Sequence, residues 1–195
     1  MNEVKEFFDS LAPSWDRNQP DREAVIKALI GRVGIQKGDS VLDLACGTGT
    51  ITSYLHDFSN VDVLGLDLSP KMIEIAKAKY LDKPWAHFED GDFLSWSSEM
   101  RFDVIVLYNA YPHFKDPSLL SECFAKHLKP NGRFAILHSL GRVELDEHHA
   151  HVPSEVSRSL ASPKEEAKHF EKDFEIYLQE EGKHHYLLGG IKLSA

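Results

Sequence analysis

The chain of 195 residues is 42% hydrophobic and carries a formal net charge of -9, which fits one globular domain with a real core. The negative charge argues against nucleic acid as a partner, because proteins that bind the phosphate backbone normally present a basic face. Cys46 and Cys123 give neither a disulfide framework nor a zinc spacing, and no apolar run approaches the length of a membrane span. We therefore expect one cytoplasmic domain that acts on a small molecule and contacts neither nucleic acid nor membrane.

Two helices are expected to form an N-terminal cap over residues 1–34. Apolar residues from Val4 to Leu11 recur at helical spacing, and Pro13 follows the end of this amphipathic stripe. A second apolar stripe predicts a helix from about Asp21 to Val33, and Gly34 is suited to stop it.

An apolar strand that breaks into a glycine turn organises the middle of the chain. Val41 to Leu44 suits a buried parallel strand, and Gly47 and Gly49 then allow a ligand to lie against bare backbone. A dinucleotide fingerprint would need a third glycine, and the sequence has Ile51 and Thr52 after Gly49-Thr50 instead. Taken alone, the loop is equally compatible with an ordinary turn between a strand and a helix.

Strands and helices alternate after this loop, as in a parallel α/β sheet. Helices are predicted around Ile51 to Phe58, from Ser69-Pro70 onward, and from Pro117 to Leu128. The predicted strands are Val61 to Asp67, Ala86 to Glu89, Phe102 to Leu107 and Arg133 to His138.

Asp67 is a candidate ligand for an adenosine ribose. It stands about 20 residues beyond the glycine turn, at the end of the next strand, where a carboxylate can accept hydrogen bonds from both ribose hydroxyls. The alternative for an isolated acid at a strand end is a plain helix cap.

Four motifs together resemble the class I S-adenosylmethionine-dependent methyltransferases. The stretch from Asp43 to Gly49 resembles motif I, D/E-x-G-x-G-x-G, with Ala45 at its first small position. Leu66 to Met72 resembles G-x-D-x-S-x-x-M, and Lys129 to Gly132 resembles the L-K-P-G-G turn. Phe7 to Asp16 resembles the F-F-D-x-x-A-x-x-Y-D opening of the ubiquinone/menaquinone type, with tryptophan in place of tyrosine. A plain N-terminal helix that packs on the sheet with a buried tryptophan is the alternative there.

The resemblance implies S-adenosylmethionine as cofactor and a set of residues that hold it. Asp92 is expected to accept from the adenine amine, with Phe93, Leu68 and Met72 covering the ring, although a plain Asp-Gly turn is the alternative there. The full set expected at the cofactor is Asp43, Ala45, Cys46, Gly47, Gly49, Asp67, Leu68, Met72, Gly91, Asp92, Phe93, Asn109 and Trp15.

The same resemblance implies an α/β, Rossmann-like fold with a seven-stranded mixed sheet, helices on both faces and an antiparallel last strand. We divide this single domain, 1–195, into the cap, a cofactor-binding core over 39–138 and a C-terminal part over 139–195. The C-terminal part is expected to hold a lid loop from Ser139 to Pro153, a helix from about Ser154 to Phe170, and a hairpin of Phe174 to Gln179 with His185 to Leu193.

The acceptor is expected beyond the ends of the fourth and fifth strands. Candidate catalytic bases there are His113, then Tyr111 and His138, with Phe8 and Trp15 as an apolar wall. The histidines at 148, 149 and 151 could bind a metal, but surface histidines are commoner than ligands and we predict none.

The predicted function is S-adenosylmethionine-dependent methyl transfer to a small-molecule acceptor. Two alternatives remain open at this point: a non-catalytic S-adenosylmethionine-binding module, and a nicotinamide-dependent oxidoreductase, which the missing third glycine disfavours.

Overall fold

A computed structural model describes residues 3–18, 22–149 and 151–194, without the side chains of Asn18, His148 and His149. Its centre is a seven-stranded sheet in the order β3-β2-β1-β4-β5-β7-β6. The strands are β1 (Val41–Leu44), β2 (Val63–Asp67), β3 (Ala86–Asp90), β4 (Phe102–Tyr108), β5 (Leu128–His138), β6 (Phe174–Gly182) and β7 (His185–Lys192).

β1 to β6 run in one direction, and β7 alone runs against them. β1 pairs with β2 on one side and β4 on the other, so that Leu44 lies between Leu66 and Leu107. β7 inserts between β5 and β6 and pairs antiparallel with both. The order reverses between β1 and β4, and in open α/β sheets ligands bind in the crevice beyond the carboxyl ends of the strands at this point. The predicted mixed sheet with an antiparallel last strand is confirmed.

Helices cover both faces of the sheet. The described α-helices are α1 (Glu3–Leu11), α2 (Glu23–Gly31), α3 (Thr52–Ser59), α4 (Pro70–Lys79), α5 (Pro117–His127), α6 (Arg142–His149) and α7 (Pro163–Glu166). α2 and α3 pack on one face through Ile30 and Leu55. α5 packs on the other through Leu120 and Phe124. No helix within the described ranges has both the length and the apolar character needed to cross a bilayer.

Start signals in the sequence fix the helices that follow β2 and β4. Ser69 caps α4 by accepting from the backbone nitrogen of Met72, and Pro70 takes the first helical position. Asp116 caps α5 in the same way, again before a proline. These caps fix where the chain turns back over the sheet.

The C-terminal part differs from expectation in two places. The predicted lid loop from Ser139 to Pro153 contains α6, and the predicted helix from Ser154 to Phe170 is wrong over its first half. Pro163 disfavours helical angles at the residue before it, and Ser162 instead begins α7 with a capping box to Glu165. The predicted start of the second helix at Asp21 lies outside the described residues. The division into cap, core and C-terminal part stays a prediction.

Candidate functional site

The loop after β1 takes a conformation that ordinary residues avoid. Ala45, Gly47 and Gly49 all have positive φ, at 53°, 56° and 78°. Left-handed angles cost a residue with a Cβ about 1–2 kcal/mol, so Ala45 adopts the backbone of the glycine it replaces at that expense. The loop closes through a hydrogen bond of 2.9 Å from the Gly49 nitrogen to the Cys46 carbonyl.

The two loop glycines have different tasks. A Cβ on Gly49 would lie 2.8 Å from the Tyr80 ring and 3.2 Å from Phe88, so this glycine permits close packing against α4 and β3. Among the described residues, a Cβ on Gly47 would meet the indole nitrogen of Trp15 at 3.7 Å and no other atom within 4 Å. Gly47 therefore presents bare backbone on the side of the loop that faces the N-terminal segment.

Asp67 is fixed by backbone amides on both sides. One carboxylate oxygen accepts from the Gly47 nitrogen at 2.8 Å, and the other accepts from the Ser69 nitrogen at 2.8 Å. Burial raises the pKa of Asp67, and these two hydrogen bonds act against that rise. An ionised carboxylate has about four acceptor positions, so each oxygen keeps capacity for a further donor such as a ribose hydroxyl. The carboxylate and the loop therefore fit the adenosine moiety of S-adenosylmethionine.

Asp43 lies beneath the loop. It is 1% exposed and accepts a hydrogen bond of 2.6 Å from the Thr52 hydroxyl, which ties β1 to α3. Burial raises its pKa to about 7, against the hydrogen bond from Thr52 and with a further rise from Asp67. Cys46 is also buried, and burial raises the pKa of its thiol. Direct contact of either residue with the cofactor stays a prediction.

The residues predicted around adenine lie at the ends of β2 and β3. Gly91 donates its backbone nitrogen to the Asp67 carbonyl at 2.8 Å, which holds the two strand ends together. Asp92 caps a 3₁₀ turn by accepting from the Leu94 nitrogen at 3.0 Å. Met72 and Phe93 are 1% and 3% exposed, and Phe93 packs against Phe124 in the core. Leu68 is half-buried, and the roles of these residues at adenine stay predictions.

The N-terminal segment, residues 3–18, crosses the mouth of the site. Trp15 lies next to Gly47, and the Phe8 ring stands edge-on to Trp15 with centroids 5.8 Å apart. Phe8 also stands edge-on to the His113 ring, with centroids 4.8 Å apart. The structure thus brings the predicted apolar wall together with the first candidate base.

His113 is held in a defined orientation. Its Nδ1 is 3.0 Å from the Val156 carbonyl, which can only accept, so in a neutral imidazole Nδ1 carries the proton and Nε2 the lone pair.

Tyr111 belongs to a buried polar network. Its hydroxyl donates to a Glu166 oxygen at 2.6 Å, and the Arg158 guanidinium binds both Glu166 oxygens at 2.7 and 2.9 Å. Burial and then Glu166 raise the pKa of Tyr111 far above its usual range. Burial acts to raise the pKa of Glu166, but hydrogen bonds from Arg158 and Tyr111 lower it overall. Tyr111 is 0% exposed, and its catalytic role stays a prediction.

His138 lies at the end of β5 inside the protein. It is 0% exposed, and its ring stands edge-on to Tyr186 with centroids 5.7 Å apart. In this conformation it offers no surface to an acceptor, and its catalytic role also stays a prediction.

Asn109 organises a polar group beyond β4 and β5. It has φ 54°, and its side-chain oxygen accepts from the Ser139 nitrogen at 2.9 Å. Arg22 donates to the Ser139 carbonyl at 2.8 Å and to its hydroxyl at 2.9 Å. An open cleft of about 370 Å³ beside this group is lined by Arg22, Val25, Ser139, Leu140, Glu144 and His184.

Sequence reasoning missed several polar partners that lie far apart in the chain. Arg22, Ser139, Arg158 and Glu166 carry no local motif, and only the folded chain brings them to strand ends. Asp9 and Asp16 could have been found from the sequence, because they lie in the N-terminal stretch that resembles a known family.

The candidate metal ligands His148, His149 and His151 are described only in part. No group of three or more His, Cys, Asp or Glu side chains in the described ranges is arranged to hold a metal ion. The side chains of His148 and His149 lie outside those ranges, and the absence of a metal there stays a prediction.

Comparisons with known proteins agree with this geometry. A family profile described as "Methyltransferase domain" matches residues 41–132. Sterol 24-C-methyltransferase of Saccharomyces cerevisiae is 33% identical over 146 residues, which cover 70% of this chain and 37% of that protein. Demethylmenaquinone methyltransferase of Chlamydia caviae is 31% identical over 141 residues, covering 69% of this chain and 60% of that one. The chain thus spans well under two thirds of the yeast relative's length.

Solved structures share the fold. The putative methyltransferase solved with the Haloferax volcanii Trm112 methyltransferase activator has a TM-score of 0.82 at 22% identity, covering 96% of this chain and 98% of that one. Other structures of this fold hold S-adenosylmethionine or S-adenosylhomocysteine. With the glycine loop and Asp67 in place, the profile match and these likenesses show that residues 41–132 form a methyltransferase domain with the S-adenosylmethionine-binding fold of the class I enzymes.

Proposed function

We propose that this protein transfers a methyl group from S-adenosylmethionine to a small-molecule acceptor held between the N-terminal segment and the end of β4. The observation that carries the proposal is the position of His113, whose ring contacts Phe8 while Phe8 contacts Trp15 above the glycine loop. A titratable side chain and an apolar wall thus meet at the mouth where the sheet order reverses.

The contribution of the donor-side residues is positioning. When bound, S-adenosylmethionine supplies an electrophilic methyl group on a positively charged sulfur. Asp67 orients the ribose, and the backbone from Ala45 to Gly49 lets the ligand approach closely. Holding two reactants in line replaces a bimolecular encounter, which can supply about 7–11 kcal/mol of a barrier in favourable cases.

His113 is proposed as general base for an acceptor that must lose a proton. The Val156 carbonyl fixes Nδ1 as the donor, so Nε2 is the atom that accepts the proton from the acceptor's oxygen or nitrogen. The proton stays on the imidazole until it reaches solvent, while the bound donor would supply the methyl group.

The lining indicates an acceptor with an apolar body and a polar end. Phe8 and Trp15 are both half-buried and offer aromatic surface. On the other side, the cleft beside Ser139 presents Arg22 and Glu144. The net charge of -9 favours a small molecule over nucleic acid. A cytoplasmic location stays a prediction from the sequence.

The test is a thermal-shift screen of acceptors in the presence of S-adenosylhomocysteine, followed by turnover with each hit. The screen includes a demethylmenaquinone and a sterol, the compounds named for two relatives. With a productive acceptor, His113→Ala should lower turnover about a hundredfold while S-adenosylhomocysteine affinity stays within about threefold.

His87→Ala is the matched control, because His87 lies exposed on β3 and pairs with the surface residue Asp62. It should leave turnover unchanged. The wild-type pH–rate profile should show a limb near neutral pH that is absent in His113→Ala. Full activity of His113→Ala with an unaltered profile would remove His113 from the mechanism.

Two other functions give distinct outcomes. A non-catalytic module would bind S-adenosylhomocysteine and turn over none of the acceptors that stabilise it. A nicotinamide-dependent oxidoreductase would bind NAD(H) in preference to S-adenosylhomocysteine.

A further inference from the structure

The N-terminal segment is attached to the rest of the protein in an unusual way. Its helix α1 is amphipathic, yet none of its residues is fully buried. Few buried apolar contacts mean low local stability, so α1 can open without unfolding the sheet. Polar contacts must therefore contribute much of what keeps the segment closed.

Asp9 makes the first of these contacts. One of its carboxylate oxygens accepts from the Ser69 hydroxyl at 2.5 Å, and the other accepts from Lys5 at 2.9 Å. The Ser69 backbone nitrogen in turn donates to Asp67. Burial acts to raise the pKa of Asp9, but hydrogen bonds from Ser69 and Lys5 outweigh it and lower the pKa, which keeps the carboxylate charged. Ser69 thus joins α1 to the ribose-binding acid.

Asp16 makes the second contact, on the glycine loop itself. It accepts from the Thr48 hydroxyl at 2.5 Å and pairs with the Lys79 ammonium at 2.8 Å. Thr48 is 0% exposed and stands between the two loop glycines. Asp16 therefore holds the middle of the cofactor loop, and Lys79 fixes it from α4.

We infer that Asp9 and Asp16 are positioning residues that latch the N-terminal segment over the bound donor and control its exchange. Asp9 latches the segment to the loop that carries Asp67, and Asp16 latches it to the loop that carries Gly47. Because Trp15 lies over Gly47 between the two latches, donor entry and product departure require both contacts to release. The inference rests on donor binding at this loop and not on the identity of the acceptor.

The primary experiment measures the dissociation rate of S-adenosylhomocysteine by stopped-flow displacement. Asp9→Ala and Asp16→Ala should each raise the rate about threefold, and the double variant about tenfold, as expected for two partly exposed polar contacts. Asp9→Asn keeps an acceptor oxygen for Ser69 and should recover most of the lost retention.

Glu6→Ala is the matched control. Glu6 is exposed on the same helix, and its replacement removes the same charge without touching either loop. Its dissociation rate should equal that of the wild type.

Hydrogen exchange provides a readout that a general loss of stability would not reproduce. S-adenosylhomocysteine should slow amide exchange in residues 3–18 of the wild type and not in the double variant, while β1 and β4 stay equally protected in both. If the double variant fails to fold, the single variants Asp9→Ala and Asp16→Ala carry the same comparison.

A dissociation rate within twofold of the wild type in the double variant, with ligand-dependent protection of residues 3–18 retained, would overturn the inference. That result leaves binding itself intact, whereas failure of the methyltransferase function would appear as absent turnover with every acceptor.

Discussion

The proposed donor side and the proposed acceptor side of this sheet edge are built in opposite ways. On the donor side, Gly47 follows β1, and Asp67 and Ser69 lie at the end of β2. The backbone amides of Gly47 and Ser69 hold the Asp67 carboxylate in place. On the acceptor side, Tyr111 is bound by Glu166, which lies 55 residues further along the chain, and Asn109 is bound by Ser139. The donor side depends on backbone conformation, and the acceptor side on side chains from distant segments.

This difference predicts how each side responds to amino-acid substitution. A backbone-built site fails when one residue blocks the required φ angle or removes the acid. A side-chain-built site depends on buried polar groups, whose loss leaves partners without hydrogen bonds and lowers stability before it changes chemistry.

The largest expected effect falls on the acceptor side. Glu166→Ala should lower the free energy of unfolding by about 3–5 kcal/mol, because it leaves Arg158 and Tyr111 without their shared partner. Glu181→Ala breaks the exposed pair with Arg142 and should cost less than about 1 kcal/mol. Chemical denaturation measures both. Equal losses would mean that burial does not distinguish these pairs and that the comparison fails.

On the donor side, Gly47→Val should weaken S-adenosylhomocysteine binding about a hundredfold or more, since a β-branched residue resists positive φ and fills the face beneath Trp15. Gly31→Val is the control, because a Cβ there meets no atom of the described residues within 4 Å and its φ angle is ordinary. Calorimetry on the folded variants measures both affinities for S-adenosylhomocysteine. Wild-type affinity in Gly47→Val would show that this face of the loop is not used.

The raised pKa of Asp43 predicts that the stability of the protein depends on pH. Its folded pKa of about 7 lies above the ordinary 3.8, so the folded state holds its proton more tightly than the unfolded chain. Stability is therefore lost as pH rises from about 4 to about 7, and the loss is complete above that range. Between pH 5 and 8, wild type should lose about 2 kcal/mol relative to Asp43→Asn. Parallel curves for the two proteins would show that Asp43 does not titrate in this window.

The smallest expected effect tests the strain in the loop. Ala45→Gly should stabilise the protein by about 0.5–1 kcal/mol, because relief at φ 53° exceeds the added freedom of the unfolded chain. Ala28→Gly, in the exposed interior of α2, should instead destabilise it by about 1 kcal/mol. Denaturation midpoints separate the two. Destabilisation by both would mean that the Ala45 methyl makes contacts worth more than its strain.

Local signals explain what the sequence could predict. Apolar runs and start signals such as Ser69-Pro70 act over a few residues, so the sheet was predicted correctly, as were the places of the glycine loop and of Asp67 at the end of β2. The binding roles of both stay predictions. The positive φ of Ala45 follows from its place in a glycine motif, although propensity alone argues against it.

Long-range contacts explain what the sequence could not predict. Burial of His138 depends on Tyr186 from β7, and the pairing of Tyr111 depends on Glu166 from α7, which periodicity does not reveal. The prediction of a helix from Ser154 gave too little weight to Pro163. The backbone nitrogen of Arg158 donates to the Pro112 carbonyl and not to a helical partner.

The central claim is that Asp67 and the glycine loop bind the methyl donor. It is tested most directly by titrating S-adenosylhomocysteine calorimetrically into wild type, Asp67→Ala and Asp62→Ala, where Asp62 is an exposed acid just before the same strand. Loss of charge-assisted hydrogen bonds should weaken binding to Asp67→Ala about tenfold or more and leave Asp62→Ala unchanged. Equal affinity in all three folded proteins would contradict the account.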